Sequence, residues 1–250
     1  MTLDEKQNNL ANKLKKTFSL FSEVQKFIEP SFEDTTEFDF SEVAKNVVAQ
    51  ESLSYEDPIE RLSLAQVEEK IRECRNCVLC EQRNNVVIGE GDTNARLMLI
   101  GEGPGKEEDL SGRPFVGNSG KYLDSWLNAI NLNRQRSVYI TNIVKCRAPS
   151  NRDPKHEESL TCYPYLKRQI ALIKPEVILI LGKVAANFLL QNSDSLFSMR
   201  QKVHRLSTTP VIVTYHPAAV LRNFELRKEV WQDLQLVASV MNLPIAKKGR

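Results

Sequence analysis

A chain of 250 residues with 41% hydrophobic content has room for one α/β domain of about 150–200 residues and something extra. No stretch approaches the roughly 18 consecutive apolar residues of a membrane span, and the first residues lack the basic start and apolar run of a signal peptide; no membrane is expected, and five cysteines then point to a reducing, cytoplasmic compartment where metal binding is favoured over disulfides. The net charge of +2 is uneven, with nine acids and one lysine in residues 31–60 and a surplus of nine positive charges in residues 61–250, the footprint of a polyanion binder.

Residues 8–28 read as an amphipathic helix, with Leu10, Leu14, Phe18, Phe21, Val24 and Phe27 near helical spacing and Pro30 closing it. Residues 31–60 read as an acidic, largely disordered linker with a short helix near 41–48. Residues 1–62 are therefore expected to be an extension, either a plain tail or one whose helix docks an unknown protein. Ser63, with Gln66 three residues on, caps a helix leading to Cys74. Leu97–Ile100, Val138–Thr141, Val177–Leu181 and Val211–Thr214 read as buried strands. Between and after them come helices over 121–130, from Pro154 to about Leu172 with Asp153 as N-cap, after Gly182, and over 226–241. Strands alternating with helices predict a three-layer α/β/α sandwich over 63–243 with a mostly parallel central sheet. A basic tail, 244–250, follows.

In such folds ligands bind at the carboxyl ends of the strands. Three informative segments lie there: Gly101-Glu102-Gly103-Pro104-Gly105, Thr141-Asn142, and Tyr215-His216-Pro217. The glycines allow close backbone approach to a ligand, and the first segment is neither a Walker A loop nor a G-x-G-x-x-G turn. Phe115 adds a flat ring in an otherwise polar loop. A ring, an amide and an imidazole are what recognition of one nucleobase requires. Cys74 and Cys77 stand in C-R-N-C, and Cys146 and Cys162 lie downstream with 15 residues between them. Four such thiolates suit zinc or an iron–sulfur cluster. Cys80, which extends the first pair to C-x-x-C-x-x-C, reads as a bystander, competition for a ligand position being the alternative. Glu107, Glu108 and Asp109 read as a solvated charge run, and Lys145 and Arg147 as surface residues. No lysine is expected where a Schiff-base nucleophile would be needed.

The ordered set of motifs resembles the family 4 uracil-DNA glycosylases, the iron–sulfur members of their superfamily, over roughly residues 64–243. It comprises the cysteines above, GEGPG at 101–105, GRPFVG at 112–117, TNIVKCR at 141–147, NRDP at 151–154 and HPAAVLR at 216–222. The resemblance implies one structural 4Fe–4S cluster on Cys74, Cys77, Cys146 and Cys162. It implies a uracil pocket of Gly101, Glu102, Gly103, Phe115, Asn142 and His216, with Glu102, Asn142 and His216 catalytic. The expected partner is uracil-containing DNA, single- or double-stranded, and the expected state a monomer with no lyase activity. Phe115 would stack on the flipped base, Asn142 read its edge, and His216 stabilise the leaving anion. Glu102 would orient the water, with Glu108 the weaker candidate. Val220 and Leu221 would wedge into the DNA or else pack at a helix start. Arg222, Lys202 and Arg205 would meet phosphates. The rival readings are a relative acting on another deaminated base, the covalent DNA-trapping branch, whose Arg-rich insert and His are absent here, and a non-catalytic DNA-binding module.

Overall fold

The computed structural model describes residues 58–244 and, apart from them, residue 12. The helices read over 8–28 and 41–48, residue 12 aside, and the tail beyond 244 lie outside the described residues. The chain divides into two compact units, 1–61 and 62–250, and the second holds the sheet. No helix among the described residues is long and apolar enough to cross a membrane.

Six strands form the sheet: β1 (Glu90–Gly91), β2 (Leu97–Gly101), β3 (Val138–Asn142), β4 (Val177–Leu181), β5 (His204–Leu206) and β6 (Thr209–Thr214), in the order β1-β3-β2-β4-β6-β5. The central four run parallel, and β1 and β5 add antiparallel edges. β2, β3 and β4 are buried along their whole length, which is why they read as unbroken apolar runs rather than as alternation. Their side chains divide between two cores. Leu97, Leu99, Leu179 and Ile212 face a layer that includes Leu123, Trp126 and Leu127 of helix α3 (Asn118–Ala129) and Val230, Leu234 and Val237 of helix α8 (Arg227–Val240). Met98, Ile100, Ile178 and Val213 face Leu166 and Ile173 of α4 (His156–Ile173) and Ala185, Ala186 and Leu189 of α5 (Lys183–Leu190). Helix α1 (Leu64–Glu73) packs on α4. It begins as the sequence predicts: Gln66 Oε1 accepts from the Ser63 N–H at 2.9 Å, and Ser63 Oγ accepts from the Gln66 N–H.

β3 and β4 lie on opposite sides of β2. The connections leaving β2 and β4 therefore diverge and open a crevice at the carboxyl edge. Two short helices border it, α2 (Lys106–Ser111) and α7 (Pro217–Arg222). Each has six residues, too few to register as periodicity; the helix α6 (Leu196–Met199) is shorter still. Asp153 does not cap α4, which starts at His156. Glu158 accepts from the Lys155 N–H at 2.7 Å and pairs with both terminal nitrogens of Arg152, leaving Asp153 at the crevice.

Candidate active site

The crevice is a cavity of about 520 Å³ whose lining includes Glu102, Gly103, Phe115, Asn142, Asp153, His216 and Arg222. Its floor is close-packed. A Cβ on Gly101 would strike Asn142 Oδ1 and stand 2.7 Å from Phe115 Cζ, and one on Gly103 would stand 2.8 Å from Val144 Cγ2. The space that glycine leaves at 101 is thus the space between the amide and the ring.

Asn142 ends β3 with 1% exposure, and its Oδ1 is buried without a hydrogen-bond partner. A buried amide oxygen left unpaired costs about 1–3 kcal/mol, so the geometry calls for a donor on a ligand. The residue is fixed from behind. Lys145 Nζ donates to the Asn142 carbonyl at 2.8 Å, to Thr141 Oγ1 at 2.6 Å and to Gln169 Oε1 at 2.7 Å. Lys145 is therefore not a surface residue. It follows β3, but its three N–H bonds are spent inside the fold, which removes it as a nucleophile.

Phe115 has a left-handed backbone (φ 52°), a conformation uncommon for a bulky side chain. Its ring is buried, 5.5 Å from that of His216 and inclined at 33°. Two charged groups impose the conformation. Buried Arg134 donates Nη2 to the Phe115 carbonyl at 2.7 Å and Nη1 to that of Pro114 at 2.9 Å, while Nε reaches Asp124 and Nη1 also Glu90. From the other side Glu108 Oε1 accepts from the N–H groups of Val116 and Gly117 at 3.0 and 3.2 Å. Gly120 is required beneath, because a Cβ there would overlap the Phe115 carbonyl. Glu108 is thus committed to the loop through Oε1, while the residue also lines the crevice. Asp109 is buried and accepts from Asn84 N at 2.9 Å, Asn84 Nδ2 at 2.6 Å and Asn85 N at 3.3 Å. Two members of the charge run, Glu108 and Asp109, are therefore clamps, while Glu107 is exposed as expected. Arg134 was missed because nothing in its local sequence marks it.

His216 is the N-cap of α7, and its Nδ1 accepts from the Ala218 N–H at 3.2 Å. Burial, helped by the charge of Arg222 and opposed by Glu108, pulls its pKa down to about 4. The ring is therefore neutral, with its proton on Nε2, the tautomer that the Nδ1 acceptor role selects. Behind it, Thr214 Oγ1 donates to the wholly buried Asp233 at 2.7 Å, and Arg200 ties Asp233 and Glu229 together. Glu102 is partly buried. Burial, then the charge of Asp153, pushes its carboxyl up to about 7. One crevice thus holds a neutral donor, an orphan acceptor, a ring and a carboxyl that titrates near neutrality.

On the α4 side, Cys74, Cys77, Cys80, Cys146 and Cys162 all line a second cavity with Ile71, Lys145 and Tyr165, and all five are free thiols. Arg83 joins two of the segments, donating to Cys146 Sγ at 2.9 Å and to the Cys74 carbonyl at 2.9 Å. Burial pushes the Cys162 thiol up to about 12 and those of Cys146 and Cys77 upward too. Thiolates here need cationic partners, which fits a metal group. Among the described residues, however, no three His, Cys, Asp or Glu side chains converge on a point where they could hold one ion. Cys80 sits within the ring of thiols rather than apart from it.

The residues expected at DNA divide. Val220 is fully buried in the core under α3 and α8 and cannot act as a wedge; α7 turns it inward. Leu221 is half-buried and Arg222 exposed at the crevice rim. Lys202 and Arg205 are exposed near and on the edge strand β5.

A sequence model of the Uracil DNA glycosylase superfamily matches residues 88–235. The chain is similar to a type-4 uracil-DNA glycosylase of Thermotoga maritima, at 42% identity over 69% of this chain and 92% of the relative. It is also similar to the type-4 enzymes of Archaeoglobus fulgidus, at 41% over 71% and 93%, and of Saccharolobus solfataricus, at 40% over 70% and 85%.

Proposed function

Because the chain belongs to the uracil DNA glycosylase superfamily, in its type-4 branch, we propose that the crevice residues divide the work of uracil excision among them. The protein is a DNA-repair hydrolase that cleaves the bond between uracil and deoxyribose and leaves an abasic site. The observation that carries the assignment of roles is the buried, partnerless Oδ1 of Asn142, opposite a glycine with no room for a side chain. That slot fits a flat base with a ring N–H facing the amide.

The flipped uracil stacks on Phe115 and presents its edge to Asn142. The glycosidic electron pair leaves with the base, and the negative charge spreads onto its carbonyl oxygens. Neutral His216 donates its Nε2–H to one of them, stabilising charge that develops only as the bond breaks. Water adds to the electron-poor sugar carbon, and Glu102 accepts its proton. Leu221 fills the gap in the stack, and Arg222 meets a phosphate. Excision proceeds without a lyase step in this reading: Lys145 is spent inside the fold, and Lys106, which lines the crevice, opens α2 and takes no part in bond breaking.

Cys74, Cys77, Cys146 and Cys162 line one cavity, and four thiolates from separate segments suit a 4Fe–4S cluster. When bound, the cluster supplies structural cross-linking of the segment after α1, the loop after β3 and α4. Protein purified without oxygen should be brown and hold about four irons per chain; colourless protein with one zinc would overturn this.

Alkaline gel assays of uracil-containing oligonucleotides test the roles. Wild type should cleave. Asn142→Asp replaces a donor with an acceptor, so it should lose most uracil activity and gain weak excision of cytosine, whose exocyclic amine donates. His216→Ala should slow single turnover by about 10²–10³ with little effect on DNA binding. Wild-type cleavage by both variants would place the active site elsewhere.

A further inference from the structure

A second groove runs off the crevice. Asp153 and Pro154 line both. From there it extends between α4 and α5 to β5 as a cavity of about 1160 Å³, beyond the roughly 300–1,000 Å³ of ordinary small-ligand pockets. Its walls carry three rings in contact: Phe188 meets His156 at 5.9 Å and Tyr163 at 5.6 Å, both edge-on. Lys183 and Arg205 supply positive charge, and Asp153 is the only acid among the lining residues. Asn187 lies in the wall, and its Oδ1 is buried without a partner. It is one of only two such side-chain atoms among the described residues, the other being Asn142 Oδ1 in the crevice itself.

Rings to stack on, an acceptor awaiting an N–H donor and flanking cations are the elements of a single-strand nucleic-acid platform. We propose that this groove holds the unpaired nucleotides on one side of the flipped uracil. A base packs against the Phe188 cluster, its N–H meets Asn187, and its phosphates lie by Lys183 and Arg205. A duplex keeps its bases stacked and paired, so only single-stranded DNA uses the groove. The proposal rests on the excision reading for the position of the strand.

The test uses the full-length, cluster-loaded protein with Phe188→Leu, which keeps apolar bulk but removes the ring. Fluorescence anisotropy on single strands of about 15 nucleotides, the upper range of one binding fold, should show binding weakened about tenfold in Phe188→Leu. Duplex binding, duplex excision and melting temperature should stay at wild-type values. Extending a short uracil oligonucleotide should raise wild-type affinity on one side of the uracil only, and Phe188→Leu should lose that gain. Unchanged single-strand binding would give the groove to something else, such as a protein segment, and overturn the proposal. Equal losses on single strand and duplex would overturn it too. A wild type that excises no uracil would sink the excision reading instead, while binding of uracil-free single strands would still decide the groove.

Discussion

Glu102 and His216 are displaced in opposite senses by the same burial, and each displacement suits one half of the reaction. His216 stays neutral well below its ordinary value, so it donates a hydrogen bond without first binding a proton from solvent. Glu102 is held protonated up to about 7 and accepts a proton only above that. Excision should therefore fall as pH drops through about 7, following Glu102 and not His216. Part of the Glu102 shift comes from the charge of Asp153, after the larger effect of burial. Asp153→Asn removes that charge without changing shape, so the acid limb of the single-turnover rate should move to lower pH while the plateau rate stays. An unmoved limb would remove Glu102 as the proton acceptor. The shift has a stability counterpart. The unfolded chain ionises Glu102 near 4.5 while the folded one holds its proton until about 7. The penalty is absent below 4.5, grows as pH rises between the two values, and is complete above the folded pKa.

Among the elements, the loop from Gly112 to Gly120 depends most on residues far away in sequence. Arg134 holds its carbonyls from the α3–β3 connection, and Glu108 holds its N–H groups from α2. Arg134→Ala should let Phe115 leave its left-handed conformation and cost excision on the order of 10²-fold, the scale of an ångström-level misplacement. Free guanidinium should restore much of that rate, whereas Arg134→Lys, with no planar fork, should remain poor. Failure of guanidinium to rescue a folded Arg134→Ala protein would reduce Arg134 to a merely structural role. The same dependence explains what was readable from sequence. β2, β3, β4 and β6 were legible because burial on both faces writes continuous apolar runs. The placement of Asn142 and His216 at one sheet edge was legible because each ends or follows a buried strand, and Phe115 joined them through the ordered family motifs. β1 and β5 were not, being two and three residues long. Nor were the buried roles of Arg134, Lys145 and Asp109. Their partners are Phe115, Gln169 and Asn84, 19, 24 and 25 residues away, and polar burial of that kind leaves no periodic trace. Val220 shows the converse, since a motif position suggested a wedge while helix phase sent it into the core.

At the scale of the whole molecule, charge is segregated along the chain. Residues 61–250 carry a surplus of nine positive charges, and residues 31–60 a net −8. A polyanionic substrate is attracted by the first and repelled by the second, whatever path the acidic segment takes. Association with DNA should therefore weaken steeply with added salt, as each phosphate contact releases a counterion. Removing residues 1–60 should raise DNA affinity at low salt. The gain should shrink as salt rises, because the Debye length falls from about 30 Å at 0.01 M to about 3 Å at 1 M. The excision step, which we assign to Glu102, Asn142 and His216, should keep its single-turnover rate at saturating enzyme. Stopped-flow association rates of the two proteins across a salt series separate these effects. Equal rates at low salt would show that the acidic segment does not act on DNA, and a lower saturating rate in the shortened protein would show that the first sixty residues belong to the catalytic body.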